Sequence, residues 1–203
     1  MSHPLDGLPD RIRLPLAFDP APLAADLAAF GEEEWVRHFV PSNYEGSWSV
    51  IPLRAAAGET HPVRMIGTHP LAKGFVDTAY LDRAPAMRAL LARMECALRG
   101  VRLMRLTPGS RILEHDDYDP DEININVRLH VPVITNDAVA FLLNRTQVPM
   151  APGELWYLRL SDPHSVDNDG DTDRVHLVLD VRMSDWLAGQ LREGAAVSAA
   201  RSG

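Results

Sequence analysis

Apolar and polar residues alternate along two segments in the second half of the chain. Residues 123–134 carry apolar side chains at every second position, and the polar positions between them are Asn124, Asn126, Arg128 and His130. Residues 174–181 show the same pattern, and their polar members are Arg174, His176 and Asp180. Successive side chains of a strand point to opposite faces, so each segment is predicted to be a strand with one apolar and one polar face.

The polar faces of these two strands allow two interpretations. They face water in an ordinary sheet, or they line a polar cavity inside a β-roll while helices cover the apolar faces. Arginine and histidine occur on both strands, close to the candidate metal ligands considered below. We therefore favour the cavity.

Shorter segments with similar signals accompany these strands. Further strands are predicted at residues 48–53, 101–106, 139–143 and 155–158, and turns at Pro108–Gly109, Asn136–Asp137 and Pro152–Gly153. Helical spacing is clearest at residues 86–98, where Gly100 is expected to end the helix, and two more helices are predicted at 22–30 and 32–39. Ser184 is the expected N-cap of a terminal helix, and residues 195–203 are expected to be a frayed tail.

This order of elements predicts a mainly β fold. Regularly spaced strands with Gly, Pro, Asn and Asp turns are typical of a sandwich or a jelly roll. Residues 1–203 are predicted to form one domain. It would comprise a helical or mixed region at about 14–100, a β-roll core at about 101–183, and a helix with a tail at 184–203.

Composition and charge narrow the class of protein. The 203 residues are 46% hydrophobic and 24% charged, with a net charge of -8, which argues against nucleic acid or an anionic membrane as partner. No apolar run approaches the ~20 residues that span a membrane. Cys96 is the one cysteine, so an intramolecular disulfide and a thiolate zinc site are excluded. We expect a cytoplasmic protein.

A candidate metal site combines His115, Asp117 and His164. The first two are two residues apart, so in an extended backbone both side chains leave the same face. The third lies just before the last predicted strand. Two histidines and one carboxylate leave one face of an octahedral ion open, as in non-haem Fe(II) oxygenases. Asp116 is the competing carboxylate, but the spacing of two favours Asp117.

Arg174 follows His164 by ten residues and begins the last predicted strand. A buried guanidinium needs an anionic partner, and a carboxylate bound through two hydrogen bonds is the natural one. A salt bridge to one of the many aspartates is the structural alternative. Arg128 and His130 would supply further donors.

Several other features are given no role. Isolated histidines such as His38, His61 and His69 are expected to be surface or core residues. Residues 167–173 superficially resemble a calcium loop, but the glycine is at the wrong offset and no glutamate follows at the twelfth position. A tight acidic turn is the favoured interpretation. Trp48, Tyr44 and Arg54 are either pocket or core residues.

An ordered series of motifs connects these residues. They are Tyr44-Glu-Gly-Ser-Trp48, Ile51-Pro-Leu-Arg54, Leu106-Thr-Pro-Gly-Ser110 before His115-Asp-Asp117, Asn126-Val-Arg128-Leu-His130-Val-Pro132, Pro152-Gly-Glu-Leu-Trp156-Tyr157, His164-Ser-Val-Asp-Asn168 and Arg174-Val-His-Leu-Val-Leu-Asp180. Through them, roughly residues 44–186 resemble the aspartyl/asparaginyl β-hydroxylase family, which includes bacterial proline hydroxylases.

The resemblance implies a double-stranded β-helix, that is, a cupin-like jelly roll with flanking N-terminal and C-terminal helices. It also implies Fe(II), 2-oxoglutarate and O2 as cofactor and cosubstrates. His115, Asp117 and His164 match the metal positions of the family. Animal aspartyl hydroxylases lack the metal-binding carboxylate, whereas this chain has Asp117. The chain is therefore more similar to the bacterial small-molecule hydroxylases.

Three further positions match functional residues of the family. Arg174 matches the residue that pairs with the distal carboxylate of 2-oxoglutarate, and His130 matches one that assists this cosubstrate. Arg128 matches a position that reaches toward a substrate carboxylate in relatives. These assignments are implied by the resemblance alone.

The expected function is hydroxylation of an unactivated carbon, with release of succinate and CO2. The expected substrate is an amino acid or a derivative of one, Asp-, Asn- or Pro-like, either free or bound to a peptide or carrier. Two alternatives stay open: a cupin-like Zn, Ni or Mn enzyme that does not use 2-oxoglutarate, and a non-catalytic β-roll that binds a small carboxylate. Arg174 distinguishes the hydroxylase from the first alternative, because a cupin-like enzyme without 2-oxoglutarate has no need of this arginine. The sequence leaves the oligomeric state open.

Overall fold

The computed structural model describes residues 5–67, 72, 74–117 and 126–202, and its strands form two facing antiparallel sheets. The strands of this part of the chain are β1 Arg11–Ala17, β2 Val36–Arg37, β3 Tyr44–Glu45, β4 Trp48–Ala56, β5 Phe75–Asp77, β6 Leu98–Leu106, β7 Ser110–His115, β8 Asn126–Ile134, β9 Val139–Leu143, β10 Thr146–Gln147, β11 Glu154–Leu158, β12 His164–Asn168 and β13 Arg174–Arg182. The helices are α1 Pro20–Asp26, α2 Pro62–Met65, α3 Ala79–Asp82, α4 Pro85–Leu91 and α5 Asp185–Ser202.

The two sheets differ in size. The larger sheet has the strand order β1-β11-β8-β13-β6-β4-β2, with β5 paired to β4, and the smaller sheet has the order β10-β9-β12-β7-β3. Neighbours along the chain often lie in different sheets, as β6 and β7 do, which is the winding of a double-stranded β-helix. The predicted mainly β jelly roll with flanking helices is confirmed.

The apolar faces of β8 and β13 lie in the main core. In register, Leu129 lies opposite Leu179 and Val127 opposite Val181, and all four side chains are buried. The helices cover this face, and their buried apolar members are Leu23 of α1, Leu81 of α3, Met87, Leu90 and Leu91 of α4, and Leu187 and Leu191 of α5. Full burial of one leucine contributes about 1.5–3 kcal/mol, so this face fixes the register of both strands.

The inner faces of the sheets enclose a second, smaller core and a polar cavity. The smaller core joins Trp48 and Leu106 of the larger sheet to Ile112, Phe141 and Val166 of the smaller one. Beside it, the polar residues of β8 and β13 turn into the cavity. The interpretation that places the polar faces inside a roll is therefore confirmed.

Turns and the C-terminal helix follow the sequence signals in part. Gly109 and Gly153 adopt φ values of +70° and +81°, as the predicted turns require. Ser184 caps α5, since its Oγ accepts a hydrogen bond from the Leu187 N–H at 3.2 Å. However, α5 continues to Ser202, so the frayed tail was a wrong prediction for residues 195–202. Its alanine-rich sequence favours the helix.

The front half contains more strand than the sequence pattern predicted. Strand β1 pairs with β11 at the edge of the larger sheet, where the proline within β1 is tolerated. The helix predicted at residues 32–39 is wrong: a 3-10 turn at Glu32–Glu34 precedes β2. Pairing of Val36 with Val50 in β4 supplies hydrogen bonds that a short helix would lack.

Two predicted boundaries also change. The helix expected at residues 86–98 ends at Leu91, and Gly100 lies inside β6, because Leu98 already pairs with Val181 of β13. The long strand expected at residues 123–134 is confirmed from Asn126 onward, and residues 123–125 lie outside the described ranges. None of the described helices is both long and apolar enough to cross a membrane.

Candidate metal centre and ligand cavity

Cross-strand pairing brings the two histidines of the candidate metal site together. His115 ends β7 and His164 begins β12, and the two residues are direct partners in the antiparallel ladder. Paired residues of neighbouring strands place their side chains on one face, about 5 Å apart at Cβ. The imidazole ring centroids are accordingly 4.3 Å apart.

The carboxylate of the site follows immediately after β7. The Asp117 N–H donates to the Leu160 carbonyl at 2.7 Å, which holds this residue beside the end of the strand. Its Oδ1 lies 3.8 Å from His115 Nε2. One ligand atom from each of His115, Asp117 and His164 lies within 4.8 Å of the others. The structure groups Asp117 with the histidines, as predicted; Asp116 is an exposed neighbour.

Backbone hydrogen bonds fix the orientation of both imidazoles. His115 Nδ1 donates to the Leu113 carbonyl at 2.7 Å, and His164 Nδ1 donates to the Asp162 carbonyl at 3.1 Å. A carbonyl only accepts, so in the neutral rings both Nε2 atoms keep a free electron pair. Burial lowers the pKa of His164 below 6.5, which keeps its ring neutral. Two imidazoles that offer Nε2 and one carboxylate fit a divalent transition metal such as Fe(II).

Arg174 is a buried cation in the same cavity. Its side chain is 3% exposed, and no carboxylate of the described residues lies within 4.0 Å of its guanidinium. Nη2 donates to His176 Nδ1 at 3.0 Å, Cζ lies 5.8 Å from the centre of the Phe141 ring, and Nε has no hydrogen-bond partner among the described residues. Burial lowers the pKa of Arg174 from 12.5 to about 9. The salt bridge considered as the structural alternative is absent from the described residues.

Two further histidines extend this buried polar group. His176 accepts from Arg174, so its Nδ1 carries no proton, and His130 Nδ1 donates to it at 3.4 Å. His130 Nε2 then carries an unprotonated electron pair, and this atom has no hydrogen-bond partner among the described residues. Burial, with a smaller effect of the Arg174 charge, lowers the pKa of both histidines well below 6.5. Both rings are therefore neutral near pH 7.

Arg128 connects the metal site to a buried aspartate. Its Nη1 forms a short ion pair with Asp117 Oδ2, and its Nε donates to Asp180 Oδ1 at 2.7 Å. Arg102 Nη1 contacts the other oxygen of Asp180 at 2.8 Å. Because Arg128 and Asp180 are directly opposed on β8 and β13, the sheet register sets this contact.

All six residues predicted from the sequence lie around one cavity of about 970 Å³. They are His115, Asp117, Arg128, His130, His164 and Arg174. The cavity wall is rich in basic groups although the whole chain carries a net charge of -8. A cavity of this kind suits anionic small molecules.

Sequence reasoning missed several residues of the cavity wall. Arg102 alternates along β6 with the core residues Val101 and Leu103, so period-two spacing was a usable signal. His38 was expected to have no role, yet it lines the cavity. No sequence spacing marks it, because stacking of its ring on Trp48 brings it there.

The other residues that the sequence singled out lie in the cavity wall, in the smaller core, in a surface ion pair and in a turn. Trp48 lines the cavity, Tyr44 belongs to the smaller core, and Arg54 pairs with Asp77 away from the cavity. The acidic segment at residues 169–173 is a turn between β12 and β13, where Asn168 Oδ1 accepts from the Gly170 N–H at 3.3 Å. Across the described ranges, the triad is the group of His, Cys, Asp and Glu that could hold a metal ion.

Fold and site together define a class: jelly-roll proteins with two histidines and one carboxylate grouped in a cavity, where they could hold a metal ion. The family model for aspartyl/asparaginyl β-hydroxylases matches residues 24–183, which is most of the chain. The chain belongs to this family.

Known proteins agree with this assignment. L-proline cis-4-hydroxylase of Rhizobium meliloti (strain 1021) is 29% identical over 179 residues, which cover 86% of this chain and 61% of that protein. The chain thus spans less than two thirds of the length of that relative.

Solved structures support the fold. An oxidoreductase of the 2OG-Fe(II) oxygenase family from Burkholderia pseudomallei has a TM-score of 0.50 at 16% identity, covering 81% of this chain and 91% of that one. A prolyl-4-hydroxylase from Pseudomonas putida has a TM-score of 0.50 at 13% identity, covering 89% and 95%. At these identities the likeness shows the fold alone.

Proposed function

We propose that this protein is an Fe(II)- and 2-oxoglutarate-dependent dioxygenase. It hydroxylates an unactivated carbon of an amino acid or an amino-acid-derived substrate. One oxygen atom of O2 enters the substrate as a hydroxyl group, and the other enters succinate as 2-oxoglutarate loses CO2. Membership of the hydroxylase family and the metal-binding triad support this proposal.

The observation that carries the proposal is the buried Arg174 in the cavity of the triad. Burial alone lowers the pKa of this guanidinium. A carboxylate stabilises its charged form most, because it forms two charge-assisted hydrogen bonds with the guanidinium. Phe141 lies against both this guanidinium and the His164 ring. The centroids of the Phe141 and His164 rings are 6.3 Å apart, and the two rings are nearly parallel. A dicarboxylate held at one end by Arg174 would lie in the same cavity as the metal ligands.

His115, Asp117 and His164 would hold the iron through Nε2, a carboxylate oxygen and Nε2. When bound, iron with its cosubstrate supplies the oxidising chemistry. The chain supplies orientation. The carbonyls of Leu113 and Asp162 fix the imidazole rings, and the Phe141 ring gives the cavity an apolar surface.

Arg128 is the proposed contact for a substrate carboxylate. It lies between Asp117 and Asp180, next to the metal ligands rather than beside Arg174. The relative from Rhizobium meliloti is named for L-proline, which makes L-proline the first substrate to test. We place the protein in the cytoplasm, where its one cysteine stays reduced.

The decisive experiment measures coupled turnover. The protein is incubated with Fe(II), 2-oxoglutarate and O2, and succinate is measured across free amino acids, beginning with L-proline, and short peptides. We expect substrate-dependent succinate formation and a product heavier by one oxygen atom. Metal-dependent activity that persists in Arg174→Ala would favour a cupin-like enzyme instead. Carboxylate binding that survives removal of the metal, without oxygen consumption, would favour a non-catalytic β-roll.

A further inference from the structure

His38 occupies a fixed position in the cavity wall although no motif contains it. It follows β2, and its backbone N–H donates to the Trp48 carbonyl at 2.9 Å. Its ring stacks on Trp48 with centroids 3.6 Å apart and an interplanar angle of 13°, and on Phe39 at 4.7 Å. Tyr44 contacts the same ring edge-on at 6.4 Å. Three aromatic neighbours therefore restrict the rotation of this imidazole.

The ring presents one hydrogen-bond donor. Nδ1 accepts a long hydrogen bond from the Val40 N–H at 3.5 Å, which places the ring proton on Nε2. Burial, followed by the charge of Arg102, lowers the pKa of His38 to about 4. The imidazole is therefore neutral at physiological pH, and its Nε2–H is the group on the ring edge far from its own backbone.

The cavity that His38 lines contains further hydrogen-bond donors. His38 lines the same cavity as the metal triad, Arg102 and Arg128. The positive charges of both arginines lower the pKa of His38, whereas the charge of Asp117 raises it. They contact the two oxygens of Asp180 from separate strands, which fixes their heads on one side of the cavity. A carboxylate bound in this cavity would have possible donors on three separate segments, namely the residue after β2, strand β6 and strand β8.

From these contacts we infer that His38 is a specificity-determining residue that donates its Nε2–H to the carboxylate of the substrate. The inference deepens the proposed hydroxylase function and rests on it. An arginine attracts any nearby anion, whereas a single N–H on a stacked ring forms a good hydrogen bond only with an acceptor that lies along its direction. His38 thus selects how the substrate carboxylate is placed, and with it which carbon faces the metal. Trp48 and the imidazole offer an apolar surface for the substrate body.

The test measures two affinities on the same protein. The protein is loaded anaerobically with Fe(II), and calorimetry gives the Kd of 2-oxoglutarate, then the Kd of an amino acid in its presence. The probes are L-proline, the other free amino acids, and the amide of each amino acid that binds. His38→Phe keeps a stacked ring without the donor, His38→Gln returns an N–H near the Nε2 position, and His61→Phe, at an exposed histidine, is the matched control.

We expect His38→Phe to weaken binding of the amino acid about tenfold, the effect of one hydrogen bond to a charged acceptor. His38→Gln should recover part of this loss, and His61→Phe should equal the wild type. The amide should bind weakly and equally to the wild type and His38→Phe. An unchanged 2-oxoglutarate Kd shows that each variant is folded.

Two results overturn the inference. Equal affinity of wild type and His38→Phe for the amino acid removes the proposed hydrogen bond, and so does an equal loss for acid and amide. If 2-oxoglutarate binds but none of the amino acids does, a carboxylate site formed by His38 is likewise refuted. If 2-oxoglutarate itself does not bind in the presence of iron, the proposed function fails first, which separates the two conclusions.

Discussion

Replacing Arg174 by methionine should have opposite effects on stability and on ligand binding. The guanidinium is 3% exposed, and its described contacts are a neutral histidine and an aromatic ring. Lowering its pKa from 12.5 to about 9 corresponds to a cost of about 5 kcal/mol for a charged side chain at this position. Methionine removes that cost and fills a similar volume.

The net gain is smaller than this cost. The variant loses the hydrogen bond to His176, worth ~1 kcal/mol, and the cation–π contact with Phe141, worth about 1 kcal/mol. We therefore expect Arg174→Met without ligand to be about 1–3 kcal/mol more stable than the wild type, within the range known for replaced buried ions. For a chain of this length that raises Tm by roughly 2–12 °C.

Ligand binding should change in the other direction. Two charge-assisted hydrogen bonds contribute about 3 kcal/mol or more, so the affinity for 2-oxoglutarate should fall at least about a hundredfold. At a concentration of about 100 times the wild-type Kd, 2-oxoglutarate stabilises the wild type by ~2.7 kcal/mol, and this gain should disappear in the variant.

Thermal unfolding with a divalent metal, with and without 2-oxoglutarate, measures both effects in one experiment. Arg182→Met is the matched control, because Arg182 lies on the same strand but is exposed. The control should change neither Tm nor the response to 2-oxoglutarate. A variant at position 174 that is less stable than the wild type without ligand, or that keeps the full response to 2-oxoglutarate, would refute the reasoning.

Three further outcomes follow from the same contacts. Asp117→Asn should weaken Co(II) binding at least about tenfold, seen in the visible absorbance of the bound ion; unchanged affinity would remove this carboxylate from the metal site. Stability should fall as pH drops below about 6.5, because His38, His130 and His176 become protonated in the unfolded chain. In the folded protein burial lowers the pKa of all three, that of His38 to about 4. Urea midpoints that stay constant between pH 6.5 and 4 would contradict this. Binding of 2-oxoglutarate near pH 7 should be accompanied by proton uptake, because a carboxylate beside the unpaired Nε2 of His130 raises the pKa of this histidine. Calorimetry in buffers of different ionisation enthalpy measures the uptake, and a buffer-independent enthalpy would oppose it.

The strands that carry the site were predictable because their two faces meet different surroundings. On β8 and β13 every second residue faces the helix-covered core, so the polar residues between them face the cavity. The period of two is a local property of the chain, and it places Arg128 and Arg174 on the polar faces of their strands. The pairing of His115 with His164 follows once β7 and β12 are neighbours.

Other parts of the site depend on contacts that local sequence does not encode. The segment at residues 32–39 has a helical pattern, yet pairing with β4 makes part of it a strand and carries His38 to the cavity. Edge strand β1 contains a proline, and its hydrogen bonds come from β11, far along the chain. In both cases tertiary pairing outweighs a weak local preference.

Arg128 sets a limit on how mutations can separate metal binding from substrate binding. Its guanidinium contacts both the metal ligand Asp117 and the buried Asp180, so removing it leaves two carboxylates without this partner. A loss of activity in an Arg128 variant would then combine a changed metal site, a destabilised sheet and a lost substrate contact. His38 has no ion pair among the described residues, and its ring can be replaced by a phenyl ring of similar shape. His38 is therefore the position at which recognition of the substrate carboxylate can be measured with the metal ligands intact.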